Sequence, residues 1–397
     1  MNKNSWQYFI GIDVSRNRFN YVIIDASLQV LSEGQLNMNL EGFTALSQLI
    51  SSYPNSLIGV ESTGSYHLNL LAFLITNQYP VALINPALIK KFSQSITLRN
   101  TKTDRIDALT IARFLLKHLE VIPHFIPDKL DDLAALARVR ESLTQQIART
   151  KTQLKQHLVV VFPELVAHCN IFTDFLLSVL EEFPTPHSVL KASPSRVKAV
   201  FRKLKARGRK PSLSAEQFLE LARDSIGIST TNYALIIKHE VEMLQFLNQK
   251  LQEITRQFIE EIQKNQKDNL ELLKSIKGVS DVTSAHFLAA VKDIHRFENR
   301  RKLAAYAGID PSIKQSGSLY ARGRISKKGS KSLRRCLYLM ASGVMRCNEY
   351  FRAYYLKKRG EGMPHRKAMI ALCNKLLRVI FAMLRKGEKF VPVTHYL

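Results

Sequence analysis

Between Tyr8 and Pro86 apolar residues come in short runs divided by polar and turn residues. Tyr8-Phe-Ile-Gly-Ile-Asp13, Phe19 to Ile24 and Gln29 to Ser32 read as a meander of three strands. A helix is expected from about Leu40 to Ser51, then a fourth strand, Ser56-Leu-Ile-Gly-Val-Glu61, and a helix after Gly64. A fifth strand follows at Val81 to Asn85, closed by Pro86. Three antiparallel strands followed by βαβ units predict a mixed α/β sheet with helices on its faces. Thr103 is placed to cap a helix from Asp104 toward Leu119.

Beyond Pro127 the strand signal disappears. Leu133, Leu136, Val139, Leu143, Ile147, Leu154 and Leu158 recur at spacings of three, four or seven up to Phe162-Pro163, the mark of one long amphipathic helix. A second helix near Tyr233 to Ile262 carries Leu244, Leu247, Leu251, Ile254 and Phe258. Two such stripes can pair within one chain or across a dimer. Between them, Phe183-Pro-Thr-Pro186 reads as a turn, and Arg202 to Lys210 as a charged, largely helical insert suited to solvent or to phosphate. Ile276-Lys-Gly-Val-Ser280 before a helix at Val282 to Val291 is similar to half of a helix-hairpin-helix, or is a plain turn. Two long helices, around 331–357 and 364–386, close the chain. The expected domains are 1–125, 126–268 and 269–397, with the middle one all-α and the last mainly α-helical.

Composition narrows the function. Lys and Arg number 58 against 33 Asp and Glu, a net charge of +25 over a chain that is 46% hydrophobic, so a folded protein with a polyanionic partner is expected, nucleic acid first. Cys169, Cys336, Cys347 and Cys373 have no zinc-ligand spacing and read as reduced, buried thiols of a cytosolic protein. The first fifteen residues lack signal-peptide character, and the most apolar window, Leu68 to Ile84, is broken by Asn69, Asn77, Gln78 and Pro80. A soluble intracellular protein without a membrane partner is expected.

Asp13 ends the first strand and Glu61 the fourth, so with those strands adjacent both carboxylates emerge at one sheet edge. Asp104 and Asp107 are three apart at a helix start, hence on one face. Four such acids suit two hard cations that activate a nucleophile and hold the leaving oxygen of a phosphodiester. Each acid also has a plainer use: Asp13 can cap the turn at Val14-Ser-Arg16, Glu61 can be a solvated strand end, and Asp104 can complement its helix dipole. From Arg296 to Arg335 twelve Lys or Arg face only Glu298 and Asp310. Within this segment, residues 307–320 read as an irregular loop of Gly, Pro and Ser, suited to hold a phosphate and attack it with a hydroxyl. Ser316, between Gln315 and Gly317, is the first choice of nucleophile; Ser312, Ser318, Ser326 and Ser330 are rivals on chemistry alone.

Seven segments together resemble the DEDD-type insertion-sequence transposases, a family that includes pilin-gene invertases and bridge-RNA-guided recombinases. They are Gly11-Ile-Asp-Val-Ser15, Val60-Glu-Ser-Thr-Gly-Ser-Tyr66, Asn85-Pro86, Lys102-Thr-Asp-Arg-Ile-Asp-Ala108, Ala307-Gly-Ile-Asp-Pro311, Gln315-Ser-Gly317, and Ile325-Ser-Lys-Lys-Gly329 with Leu333-Arg-Arg335. The resemblance implies a RuvC-like (RNase H-like) first domain whose quartet is Asp13, Glu61, Asp104 and Asp107, holding Mg²⁺ or Mn²⁺, then a coiled-coil region and a transposase domain with Ser316 as nucleophile. It further implies element-end and target DNA, a guide (bridge) RNA, and a homodimer assembling to a tetramer with composite sites, in the nucleoid-associated cytoplasm of a bacterium. Arg322, Arg324, Lys327, Lys328, Lys331, Arg334 and Arg335 are then expected on phosphates. Arg16 stands where the family more often has Lys, and an insert at 183–231 resembles only its longer members. The competing expectations are a metal-dependent structure-specific nuclease that leaves hydrolysed ends, and a non-enzymatic nucleic-acid binder.

Overall fold

The computed structural model describes residues 6–62, 66–96, 104–119, 133–208, 211, 213–316 and 319–392, with backbone alone at 96, 104, 134, 311–316 and 319–324. The chain forms two compact units, residues 1–131 and 132–397. In the first, β1 (Tyr8–Val14), β2 (Arg18–Asp25), β3 (Val30–Asn37), β4 (Ser56–Glu61) and β5 (Val81–Ile84) make one sheet in the order β3-β2-β1-β4-β5. The first three are antiparallel neighbours, whereas β1-β4 and β4-β5 are parallel, so the sheet is mixed as expected. β3 runs five residues past its expected end at Ser32. Its Ser-Glu-Gly-Gln stretch has no apolar signal, because an edge strand with a mostly exposed surface is held by its ladder to β2.

Alternation along the strands sends side chains to two cores. Ile10, Ile12, Phe19, Ile23, Ile58 and Val60 face α1 (Leu40–Ser51) and α2 (His67–Thr76). Phe9, Val22, Ile24, Leu57, Ala82 and Ile84 face α3 (Pro86–Ile96) and α4 (Asp104–Lys117). The Asn39 side chain accepts the Gly42 amide and starts α1 at the expected residue. The proposed cap Thr103 lies outside the described residues.

Gly11 and Gly59 are register partners on β1 and β4. A Cβ on Gly11 would collide with the Ala108 carbonyl oxygen and lie 2.5 Å from the Ala112 nitrogen; one on Gly59 would lie 2.9 Å from Ile111 and Leu115 side-chain carbons. The α4 backbone therefore rests almost directly on the sheet, a separation that only two missing side chains allow.

The second unit is helical apart from one hairpin. α5 (Leu133–Val161) is followed by the short helices α6 (Pro163–His168), α7 (Asp174–Glu182), α8 (Pro186–Lys191), α9 (Pro194–Ala206) and α10 (Ala215–Arg223), and then by α11 (Thr231–Lys274), which kinks at Gln266. The two apolar stripes meet each other within the chain: Leu154 and Leu158 share a core with Val241, Leu244 and Leu247. Their pairing is antiparallel, with Arg140 Nε donating to Thr255 Oγ1 (2.9 Å) and His157 Nδ1 lying 3.0 Å from Glu240. α12 (Asp281–Val291), α13 (Arg300–Ala307), α14 (Lys331–Cys347), α15 (Glu349–Gly360) and α16 (His365–Lys386) build the remaining core with the end of α11.

Three expectations are corrected. The helix expected over 331–357 is two, because Asn348 adopts an extended conformation and caps α15 through the Tyr350 amide. The 307–320 loop is largely a β-hairpin, β6 (Pro311–Ser316) and β7 (Leu319–Ile325). Of the thiols, Cys336 and Cys373 are buried, and burial pushes each up to about 12, whereas Cys169 is part-buried and Cys347 exposed. The glycine turn before α12 has a packing role: Gly278, at φ +99°, lies so close to Gly343 of α14 that a Cβ would sit 2.7 Å from its carbonyl oxygen. Among the described residues no helix is long and apolar enough to cross a membrane.

Two outcomes are expected. Gly11→Ala should overpack the α4 contact and cost about 1–3 kcal/mol. Urea unfolding followed by Trp6, the sole tryptophan and packed on that core, should show a lower midpoint. The second concerns His286, whose Nε2 lies 3.0 Å from Arg140 Nη1. Burial, and then the Arg140 charge, lower its pKa to about 4 from 6.5. Between these values the unfolded chain binds the proton and the folded one does not, so the stabilisation is complete above pH 6.5 and is lost as pH falls toward about 4. His286→Gln should flatten the dependence of urea midpoint on pH across that window.

Candidate functional site

The first cluster grows from the glycine contact. The last register pair between β1 and β4 is Ile12 with Val60, and one step on come Asp13 and Glu61 at the ends of neighbouring parallel strands. By alternation Asp13 shares the face of Gly11, and Glu61 that of Gly59, which is the face α4 covers. Asp104 opens α4, and Asp107 immediately precedes Ala108, the residue on Gly11. All four acids thus belong to elements joined at one backbone contact. Asp13, Glu61 and Asp107 are half-buried and each has interactions within the protein, while the Asp104 side chain lies outside the described ones.

Between the two helix acids, Arg105 turns away to the sheet edge. Its Nε and Nη2 each lie 2.8 Å from the Glu33 carboxylate on β3, a forked pair. At this exposure the pair is worth about 0–1 kcal/mol, yet it ties the start of α4 to the far edge of the meander. Its sequence signal was only an arginine within the segment 102–108.

Among the described residues no three His, Cys, Asp or Glu side chains are gathered closely enough to form a metal-ligand set. The quartet's chemistry nevertheless suits a hard cation: its donors are all carboxylate oxygens, carried on rigid element ends beside a helix N-terminus.

The second cluster is the hairpin. Ser316 ends β6 and pairs with Leu319, which leaves two residues, Gly317 and Ser318, between the strands; both lie outside the described residues, as does the Ser316 side chain. A two-residue Gly-Ser link flanked by Gln-Ser and Leu-Tyr is a hairpin signal that the turn-rich composition concealed. The side chains of the rival Ser312 and of Arg322 and Arg324, on the same strands, also lie outside the described ones.

The base of the hairpin is clasped by the segments flanking it. Ser326 Oγ donates to Asp310 Oδ1 (2.8 Å), the Ser326 amide to the Asp310 carbonyl (3.0 Å) and the Lys327 amide to the Gly308 carbonyl (3.2 Å). Ser330 caps α14 through the Leu333 amide while its own amide reaches the Tyr306 carbonyl. A Cβ on Gly329 would strike that Tyr306 carbonyl oxygen and lie 2.6 Å from the Gly308 nitrogen. Ser326 and Ser330 are thus occupied structurally. Arg334 Nη1 donates to the Ala307 carbonyl (3.0 Å), and Arg335 pairs with Glu141 of α5 (3.2 Å). Lys327, Lys328 and Lys331 lie between clasp and helix, with Lys327 at φ +54°. Gly329→Ala should loosen this base, speeding hydrogen exchange at the Ser326, Lys327 and Ser330 amides and leaving β1 and β4 unchanged; equal exchange in both proteins would remove the clasp.

Comparison with known proteins bears on both clusters. Residues 10–163 match the family model for DEDD transposases of the IS110 type, described as a transposase, and residues 270–356 match the model of the IS116/IS110/IS902 transposase family. The chain is 24% identical to a protein of insertion element IS116 of Streptomyces clavuligerus, over 97% of this chain and 96% of that one. It is 23% identical to the pilin gene-inverting protein of Moraxella bovis, with 98% of each covered. The transposase of insertion sequence element IS1111A of Coxiella burnetii is 31% identical over 126 residues, 31% of this chain and 35% of that protein. The two family models together span more than half of the sequence, the first across the acidic cluster and the second across the hairpin and its clasp. The chain belongs to the IS110/IS116/IS902 family of insertion-sequence transposases.

Proposed function

We propose that this transposase cuts and rejoins DNA by a covalent route in which Ser316 is the nucleophile and Asp13, Glu61, Asp104 and Asp107 form the metal-binding quartet. The observation that carries the reading is the Gly11–Gly59 contact with α4, since it commits two strand-end acids and an acidic helix start to one region of the first unit. Its order β3-β2-β1-β4-β5, antiparallel then parallel, supports an RNase H-like fold for residues 1–125. Residues 126–268 then serve as the helical, partly coiled-coil region and 269–397 as the transposase domain.

The Ser316 hydroxyl gives up its proton as its oxygen bonds to the scissile phosphorus; the bond to the 3′ oxygen breaks, and that oxygen takes up a proton to leave as a 3′-hydroxyl. The product is a phosphoserine that retains the ester, so a second 3′-hydroxyl can displace the serine and rejoin the strand without ATP. A bound Mg²⁺ or Mn²⁺ would supply Lewis-acid stabilisation of charge on the phosphate. Arg322, Arg324, Lys327, Lys328 and Lys331 would hold neighbouring phosphates; Arg334 would fix the clasp and Arg335 the contact of α14 with α5, and both would lend their charge to the phosphates. An element-encoded guide RNA would choose the donor and target DNA, and homodimers would pair into a tetramer at the nucleoid.

The test is a denaturing gel of protein, Mg²⁺, labelled element-end DNA and flanking RNA. A band shifted by covalent protein is expected from the wild type. Ser316→Ala should abolish that band, and Asp104→Ala should abolish both band and cleavage. Hydrolysed ends without an adduct would assign a nuclease in place of the recombinase, and normal recombination by Ser316→Ala would move the nucleophile elsewhere.

A further inference from the structure

α9 has cations Arg196, Lys198, Arg202, Lys203 and Lys205 and no acid in its 13 residues, and Arg207 follows as its C-cap. Ser193 caps its start through the Arg196 amide. Val197, Phe201 and Leu204, at i, i+4 and i+7, are buried against α7 and α10.

With about 100° between successive residues, the rest of the helix surface divides into three strips. Directly opposite the buried line lie Ser195, Ala199 and Ala206, all small and exposed. On one side of this edge run Lys198, Arg202 and Lys205; on the other run Arg196, Lys203 and Arg207. The first cation of each row is tethered to the body, Lys198 to Glu216 (2.9 Å) and Arg196 to Glu182 (4.0 Å). Among the described residues Arg202, Lys203, Lys205 and Arg207 form no ion pair, so both rows are uncompensated along the second half of the helix. A face that serves only solubility mixes both signs of charge. Here two rows of one sign are divided by a strip without bulk.

We infer that α9 is a duplex-DNA contact element that lies in the major groove, with its small-residue edge toward the base edges and its two cation rows on the phosphates of opposite strands. Charge complementarity identifies the partner as a polyanion with charge on two sides of a trough. The trough's width is the second match, since a helix about 10–12 Å across fills a major groove about 12 Å wide. The surface shares no residue with the strand-exchange chemistry, so either reading can fail without the other.

The experiment titrates salt against binding of the full chain to a fluorescein-labelled duplex of mixed sequence, by anisotropy without Mg²⁺. Arg202→Gln, Lys203→Gln, Lys205→Gln and Arg207→Gln together should make the log–log salt slope shallower by about 3–4, at about 0.9 per phosphate contact. Ala206→Trp adds bulk to the exposed edge without changing charge; it should weaken duplex binding about tenfold, the scale of one lost base contact, and leave binding of single-stranded RNA unchanged. Far-UV circular dichroism and Tm should match the wild type for both variants. An unaltered slope in the quadruple variant, wild-type duplex affinity for Ala206→Trp, or an equal loss on single-stranded RNA would each overturn the assignment.

Discussion

The close approach of α4 to the glycines of β1 and β4, backbone to backbone at Gly11, sets the architecture of the first unit. Helix and sheet are ordinarily held apart by the side chains between them. Gly11 and Gly59 contribute none from the strands, and at Gly11 the carbonyl of Ala108 and the amide of Ala112 approach the strand itself. At Gly11 the contact is made of main-chain atoms, which have no rotamers through which to relax, whereas at Gly59 the Ile111 and Leu115 side chains fill the space. The close approach also sits two residues from the terminal carboxylates of both strands and one residue from Asp107. Groups that act together on one phosphate must be held to within fractions of an ångström, and rigid element ends achieve this better than loops.

The second unit applies the same device to a hairpin. Gly308 and Gly329 bring the end of α13 against the approach to α14, and the Ser326–Asp310 side-chain bond, three amide–carbonyl bonds and Arg334 close the junction. β6 and β7 therefore start from a braced base, and the residue that ends β6 is Ser316. Gly278 against Gly343 repeats the close approach below α12. In each case a missing side chain is exchanged for a fixed distance between segments far apart in sequence.

Charge is distributed unevenly over this frame. The antiparallel pair α5–α11 is laced by His157–Glu240 and Arg140–Thr255, while Arg140–His286 joins α12 to α5 and Arg335–Glu141 joins α14 to it. Positive charge is dense on α9 and in the segment 296–335, which is consistent with a family that acts on DNA and with relatives matched along nearly the whole chain at about a quarter identity.

The local pattern of the sequence determined β1, β2, β4 and β5, the start of β3, α1, α5 and most of α11, because their apolar periodicity reports directly which face is buried. It also placed Asp13 and Glu61 at strand ends and Asp104 and Asp107 at a helix start, since these positions depend only on element boundaries. The polar second half of β3, the break at Asn348 and the β6–β7 hairpin carry no such signal. β3 and the hairpin are held by ladder bonds to another strand and carry little apolar signal of their own, and one capping side chain ends a helix without disturbing its period. Which stripe α5 would pair with, that Gly11 and Gly59 would face one helix, and that Asp310 would meet Ser326 were decided only by the tertiary structure. Each depends on two segments remote in sequence arriving at the same place, and no property of either segment alone records the other.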